Sequence, residues 1–167
     1  MIFEPHITYL HDDDVDAALD LKLRQLISTS FEQTPLMDKR YFNEMPQHRW
    51  IVKAGDELAA HLAVHEKVFR VKDREEPFIG IAEVCVAQSY RGQGLVRKLL
   101  AQAEAFFELD YSILLGDERV YGSSHYFRVH NIIFPDVSAE PRDDVLVKCL
   151  NAKPWFQQIA TISGPTF

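Results

Sequence analysis

The chain has 167 residues, 47% hydrophobic and 26% charged, with a formal net charge of −7. Such a length and balance fit one globular domain, 1–167, with a core of its own, and the acidic sum argues against a nucleic-acid partner, which wants a basic face. The N-terminus lacks the charged leader and apolar run of a signal peptide, and no apolar stretch reaches membrane-span length, so the expectation is a soluble cytoplasmic protein without a membrane partner. The two cysteines, Cys85 and Cys149, lie inside apolar runs and read as buried free thiols.

In chain order, Pro5–Leu10 reads as a first strand. Asp12, Asp13 and Asp14 then suit the start of a helix, where free N–H groups and the helix dipole favour acids. Val15, Leu19, Leu23 and Leu26 recur at helical spacing behind them. Metal binding by this acidic run is not expected, because it has no calcium-loop glycine. Residues 31–47 carry Pro35 and Pro46 and have room for a short helix. A hairpin follows: a strand over Arg49–Ala54, a turn at Gly55–Glu57, and a return strand over Leu58–Val71. Residues 72–77 read as a polar loop. Phe78–Ala87 is a strand with few polar residues, as expected where both faces are covered.

The segment after that strand, "QSYRGQGLVRKLL", turns through two glycines flanked by arginines and continues as a helix. Leu95, Leu99, Ala103, Phe106 and Phe107 share one face of it. "YSILLG" is the next strand, and "DERVYGSSHY" a short irregular helix. "FRVHNIIF" and "DVLVKCL" are late strands. The succession of elements predicts one mixed α/β sheet with helices on both faces.

The glycine turn has the physics of an anion cradle. The first N–H groups of a helix lack internal partners and carry partial positive charge. Gly92 and Gly94 let a ligand approach the backbone, and Arg91 and Arg97 add charge, so a phosphate fits there. The turn is not a P-loop, since no Gly-Lys-Ser/Thr follows. Neither is it the dinucleotide fingerprint, which needs a third glycine. A tight turn without a ligand uses the same glycines.

"VCVAQSYRGQGLVRKLL", residues 84–100, resembles the coenzyme A-binding segment of the GNAT N-acetyltransferase superfamily. Its members carry Arg/Gln-x-x-Gly-x-Gly/Ala between a central strand and a helix. Arg91 takes the first position and Gly94 the fourth, while Val96 stands where a small residue is usual. The resemblance implies a mostly antiparallel sheet and acetyl-CoA as co-substrate. It implies that backbone N–H groups from Arg91 through Gly92, Gln93, Gly94 and Leu95 to Val96 hold the pyrophosphate. The main chain of Cys85 and Val86 would then pair with the pantetheine arm. "SILLG" followed by "ERVYGSSHYFRV" resembles the family's next strand and short helix. On that match Tyr121 takes the place of the general acid, and His125-Tyr126 replaces the usual Gly-Phe/Tyr. "ELAAHLAVHEKVFRV", "RDDVLVKCL" and "ISGPTF" are similar to pieces of a narrower group, the aminoglycoside 2'-N-acetyltransferases and nodulation acyltransferases.

Acetyl transfer needs a neutral amine, so a base must take a proton before attack. Glu83 is the candidate, as the one acid in its apolar strand; a salt bridge to a core-facing arginine would also account for it. His61 and His65 lie four apart on a strand and face one side, as a substrate-pocket wall would. They lack a third ligand for a metal, so no metal is expected. A Cys85 nucleophile is disfavoured by its apolar surroundings. Trp50, Trp155 and Phe156 read as core or pocket wall.

The sequence therefore predicts an N-acetyltransferase acting by direct transfer in a ternary complex, with a small-molecule primary amine as acceptor. A non-catalytic acyl-CoA-binding module and a longer acyl donor are the alternatives. A homodimer is left open.

Overall fold

The computed structural model describes residues 4–31 and 35–167. The chain divides into two compact units, Met1–Val64 with Glu83–Ala105 and His65–Ala82 with Phe106–Phe167. The fold is mixed α/β with mostly antiparallel strand pairing.

In the first unit, β1 (His6–His11) pairs antiparallel with β2 (His48–Ala54), with Tyr9 opposite Trp50. β2 pairs antiparallel with the first half of β3 (Glu57–Val71), and a register shift at Val52/Lys53 marks a bulge. Gly55, at φ +60°, makes the turn between them. Asp12–Asp14 form one 3-10 turn, and helix α1 starts only at Ala17 and runs to Ser30. Its N-cap is Asp16, whose side chain accepts from the Leu19 N–H at 2.8 Å. The acids expected to open the helix thus stand one turn ahead of it, and Asp12 faces inward. Leu23, Leu26 and Ile27 of α1 pack with Ile51, Leu58 and Cys85, and Val15 and Leu19 join them. The described part of residues 31–47 holds no helix, and positions 32–34 lie outside the described residues.

β4 spans Arg74–Val86, so most of the predicted polar loop is strand. Only a tight turn at Lys72 and Asp73 separates β3 from β4, with Lys72 at φ +53°. Arg74 and Glu75 read as loop because exposed strand positions are polar. After β4 the chain reaches α2 (Leu95–Phe106), which buries Leu95, Leu99, Leu100 and Ala103. Phe106, expected on the buried face, is half exposed at the last turn.

In the second unit, β4 residues Ile79–Ile81 pair parallel with Ser112–Leu114 of β5 (Tyr111–Leu115). β8 (Val145–Cys149) lies antiparallel to β5 and also pairs β6 (Phe127–Arg128). β7 (Ile132–Ile133) and β9 (Ala160–Thr161) pair in parallel, and Thr161 meets Arg70 of β3. Phe69, Phe78, Tyr111 and Phe134 dominate the core here, with Trp155 and Phe156 packed against it. Those two rings stack 4.2 Å apart, as core aromatics, and Trp50 is buried in the first unit. Both cysteines are free, Cys85 buried and Cys149 half buried. Among the described residues no helix is long and apolar enough to cross a membrane.

Helix α3 (Glu118–Tyr121) runs into a 3-10 turn that ends at His125, at φ +70°. That left-handed conformation costs a residue with a Cβ about 1–2 kcal/mol. The exposed His125 side chain occupies a position that suits glycine. His125→Gly should therefore raise the unfolding free energy by about 0.5–1 kcal/mol, after the greater chain entropy of glycine is counted. Urea denaturation reads this directly; an unchanged or lowered midpoint contradicts the strain.

Candidate active site

The end of β4 carries the two features that matter chemically. The first is the cradle. A 3-10 turn at Gln88–Tyr90 leads into Gly92 and Gly94, at φ +76° and +72°. Both conformations are ones that side chains avoid, and a Cβ at either glycine would meet nothing within 4 Å. The glycines are there for the backbone path, and the space over them is open. The Lys98 N–H bonds back to the Gly94 carbonyl at 3.2 Å, so Gly94 caps α2. The N–H groups of Leu95, Val96 and Arg97 point out of the helix start without acceptors in its ladder. Arg91 reaches back along its own turn, Nε donating to the Val86 carbonyl at 3.1 Å. The donors, the dipole and the open space fit a pyrophosphate. A cavity of about 520 Å³, lined among others by Lys22, Gln25, Ser30, Gln88 and Arg91, adjoins the turn.

The second feature is Glu83. It is buried, 8% exposed, and sits at φ +42° in the middle of a strand. A non-glycine residue in that region is strained by about 1–3 kcal/mol and persists only where its surroundings over-determine it. Oε1 accepts from the Phe42 N–H at 3.1 Å. Oε2 is buried and has no hydrogen-bond partner among the described residues. Burial pushes the Glu83 carboxyl up to about 7, against the Phe42 N–H and the Arg49 charge, which pull it down. A carboxyl that titrates near neutral pH with one oxygen unspoken for is suited to proton transfer.

A buried polar chain surrounds it. His61 is wholly buried; its Nδ1 lies 2.8 Å from the Glu83 carbonyl oxygen and its Nε2 2.9 Å from Arg49 Nη1. Burial and the Arg49 charge hold His61 down to about 3, so the ring is neutral at neutral pH. The Arg49 guanidinium is also wholly buried, and its Nε donates to Asp12 Oδ1 at 2.5 Å. Arg40 donates to both Asp12 oxygens, at 3.0 and 2.6 Å, and to Asp20 at 3.0 Å. Burial alone would raise the Asp12 carboxyl, but the bonds from Arg40 and Arg49 outweigh it and hold the group below its ordinary value. Cys85 is buried against this chain, and burial pushes its thiol up to about 12, which leaves no thiolate for nucleophilic work.

The first unit therefore gathers Glu83, His61, Cys85, Val86 and the cradle from Arg91 to Val96. His61 spends both ring nitrogens on the protein, leaving neither for a substrate. Tyr121 and His65 belong to the second unit. Tyr121 ends α3, its ring laid against Gly116 and edge-on to Tyr126 at 6.3 Å. Ser112 Oγ and the Tyr126 hydroxyl are 2.7 Å apart beneath it. His65 is buried, with its ring 6.0 Å from that of Phe167. Among the described residues no group of three or more His, Cys, Asp or Glu side chains could hold a metal. Sequence reasoning missed Asp12, Arg40 and Arg49. One local signal existed: Arg49 opens an apolar strand, where an unpaired guanidinium is costly.

Residues 6–115 match the family model described as "Acetyltransferase (GNAT) domain". No curated protein matches the chain. Among solved structures, a GNAT family N-acetyltransferase, YhbS of Escherichia coli, in complex with CoA, aligns with a TM-score of 0.69 at 14% identity, over 97% of this chain and 91% of that one. Escherichia coli ElaA aligns with a TM-score of 0.61 at 17% identity, over 86% and 97%. A GNAT family acetyltransferase of Brucella melitensis in complex with acetyl-CoA aligns at 0.57 with 15% identity, over 93% and 92%. At these identities the likeness is one of fold. Glu83 and the cradle lie inside the matched family segment; Tyr121 lies beyond it.

Removing the carboxylate that bridges two guanidiniums should be severe. Asp12→Ala leaves the buried Arg49 charge without its partner and is expected to cost about 3–5 kcal/mol at pH 7. Because the folded pKa of Asp12 is depressed, its contribution is present above the ordinary value of 3.8 and fades as pH falls through the folded value. Urea titrations should then show the gap between variant and native protein narrowing in acid. A gap that is small at pH 7, or that widens in acid, contradicts the pairing.

Proposed function

The chain belongs to the GNAT acetyltransferase family, and on that premise we propose that it is an acetyl-CoA-dependent N-acetyltransferase for a primary amine on a small molecule. The observation that carries this reading is Glu83: a buried carboxyl with Oε2 unengaged, in the strand that feeds the cradle. When bound, acetyl-CoA supplies the activated acyl group. The backbone N–H groups from Arg91 to Val96 bind its pyrophosphate, with Arg91 and Arg97 adding charge. The main chain of Cys85 and Val86 orients the pantetheine arm as an added strand would.

Glu83 takes the proton from the incoming ammonium at Oε2, directly or through one water. The amine, with an ordinary pKa near 10, is thereby made nucleophilic at neutral pH. Transfer is direct from the thioester to the amine, without an acyl-enzyme; burial keeps the Cys85 thiol protonated, which disfavours it as a nucleophile. Tyr121 serves as the acid that protonates the departing thiolate. The net charge of −7 favours a cationic acceptor, with amino sugars the first class to test.

The test is a panel of amino sugars, polyamines and peptide amines, read by the free thiol released from acetyl-CoA. Glu83→Gln should lower kcat by about 10²–10⁴-fold with acetyl-CoA affinity, by equilibrium dialysis, unchanged. Since Glu83 works in its ionised form, kcat/KM should fall as pH drops through about 7, and the variant should lose that limb. No turnover of any amine despite binding would favour a non-catalytic acyl-CoA module. Full turnover by Glu83→Gln would remove Glu83 from the chemistry.

A further inference from the structure

The carbonyl of Glu83 is held as firmly as its carboxyl is left free. His61 Nδ1 stands 2.8 Å from it, and the Cys85 thiol donates to it at 3.4 Å. The His61 ring has one arrangement that satisfies its contacts. Arg49 has donors only, so His61 Nε2 must accept, and in a neutral ring the proton then sits on Nδ1 and is donated to the Glu83 carbonyl. The opposite tautomer would set a lone pair against that carbonyl oxygen and a proton against the guanidinium. Arg49 is fixed in turn by Asp12 and by the Arg40 carbonyl, which accepts from Nη2 at 3.2 Å. The left-handed turn at Glu83 thus rests on a donor supplied by β3 and aimed by β2.

We propose that His61, locked as the Nδ1–H tautomer by Arg49, is the positioning residue that holds Glu83 in its left-handed conformation and so keeps Oε2 free for proton transfer. The proposal deepens the assignment of Glu83 as base and rests on it for its purpose. Its geometry is independent: His61 touches the backbone of Glu83 and nothing that reacts. The charged and titratable groups around the Glu83 carboxyl are Arg49, which favours its ionised form, Asp12, which opposes it, neutral His61 and protonated Cys85.

Two substitutions separate positioning from filling. The amide nitrogen of His61→Asn can stand where Nδ1 stands and donate to the Glu83 carbonyl. His61→Gln reaches the place of Nε2, can accept from Arg49, and offers the carbonyl nothing. The Glu83 carboxyl is followed by ¹³C NMR in the full chain, its resonance assigned by loss in Glu83→Gln. We expect His61→Asn to keep the native midpoint, and His61→Gln to lower it by about one pH unit as the released side chain gains water. Equal midpoints in the two variants overturn the proposal.

The native protein supplies a second measurement should either variant fail to fold. The ¹⁵N shifts of the His61 ring should report a neutral Nδ1–H ring from about pH 5 to 9, with no titration near the ordinary histidine value. An Nε2–H ring, or protonation in that range, overturns the proposal. Both titrations are made without an acceptor amine. If Glu83→Gln were to retain turnover, the base assignment would fail while these spectra still decided whether His61 holds the turn.

Discussion

The first unit is organised around one buried guanidinium. Arg49 has lost its water entirely, and such a charge is tolerable only if paired and hydrogen-bonded. Asp12 provides the pairing, which is why the first acid of the run after β1 turns inward before α1 begins. Arg40 and Asp20 complete the neutralisation. With the charge fixed, Nη2 is committed to the Arg40 carbonyl and Nη1 to His61, whose proton is committed to the Glu83 carbonyl. Each group in this sequence has its hydrogen-bonding role set by the one before. The first group left with an unspent atom is Glu83, at Oε2.

On the proposed function, the same strand end serves two opposite electrostatic tasks. Glu83 needs a dry setting, because burial, with a smaller push from Asp12, lifts its carboxyl to about 7 and lets it receive a proton under neutral conditions. The cradle needs the reverse: exposed donors, two glycines in left-handed conformation and solvent-exposed arginines. β4 supplies both by passing from an interior stretch to an open turn within a dozen residues. The buried thiol beside Glu83 is silenced by the dryness that raises the carboxyl, so one environment selects an acid–base site and disfavours a nucleophilic one.

Much of this was readable locally. The β2–β3 hairpin follows from Gly55 and the apolar runs around it, and the cradle from Gly92 and Gly94 before a helical repeat. Glu83 stood out as a lone acid in an apolar strand. Its left-handed backbone did not, because a positive φ at glutamate is imposed by tertiary contacts and has no local signature. The Asp12–Arg49 pair spans 37 positions, and three consecutive aspartates before an amphipathic pattern look like a helix start whether or not one turns inward. The strand over Arg74–Val86 was underestimated for a similar reason, since its exposed first residues are as polar as a loop. His125 shows the converse: a glycine position is legible only when glycine occupies it.

The central claim is that the turn after β4 binds the pyrophosphate of a coenzyme A thioester. A calorimetric titration of the full chain with CoA, at low and at high salt, tests it most directly. The account predicts one molecule bound per chain, with affinity falling as salt screens the arginines and the helix terminus from the phosphates. Absence of binding, or binding indifferent to salt and untouched by Gly94→Asp, would contradict it.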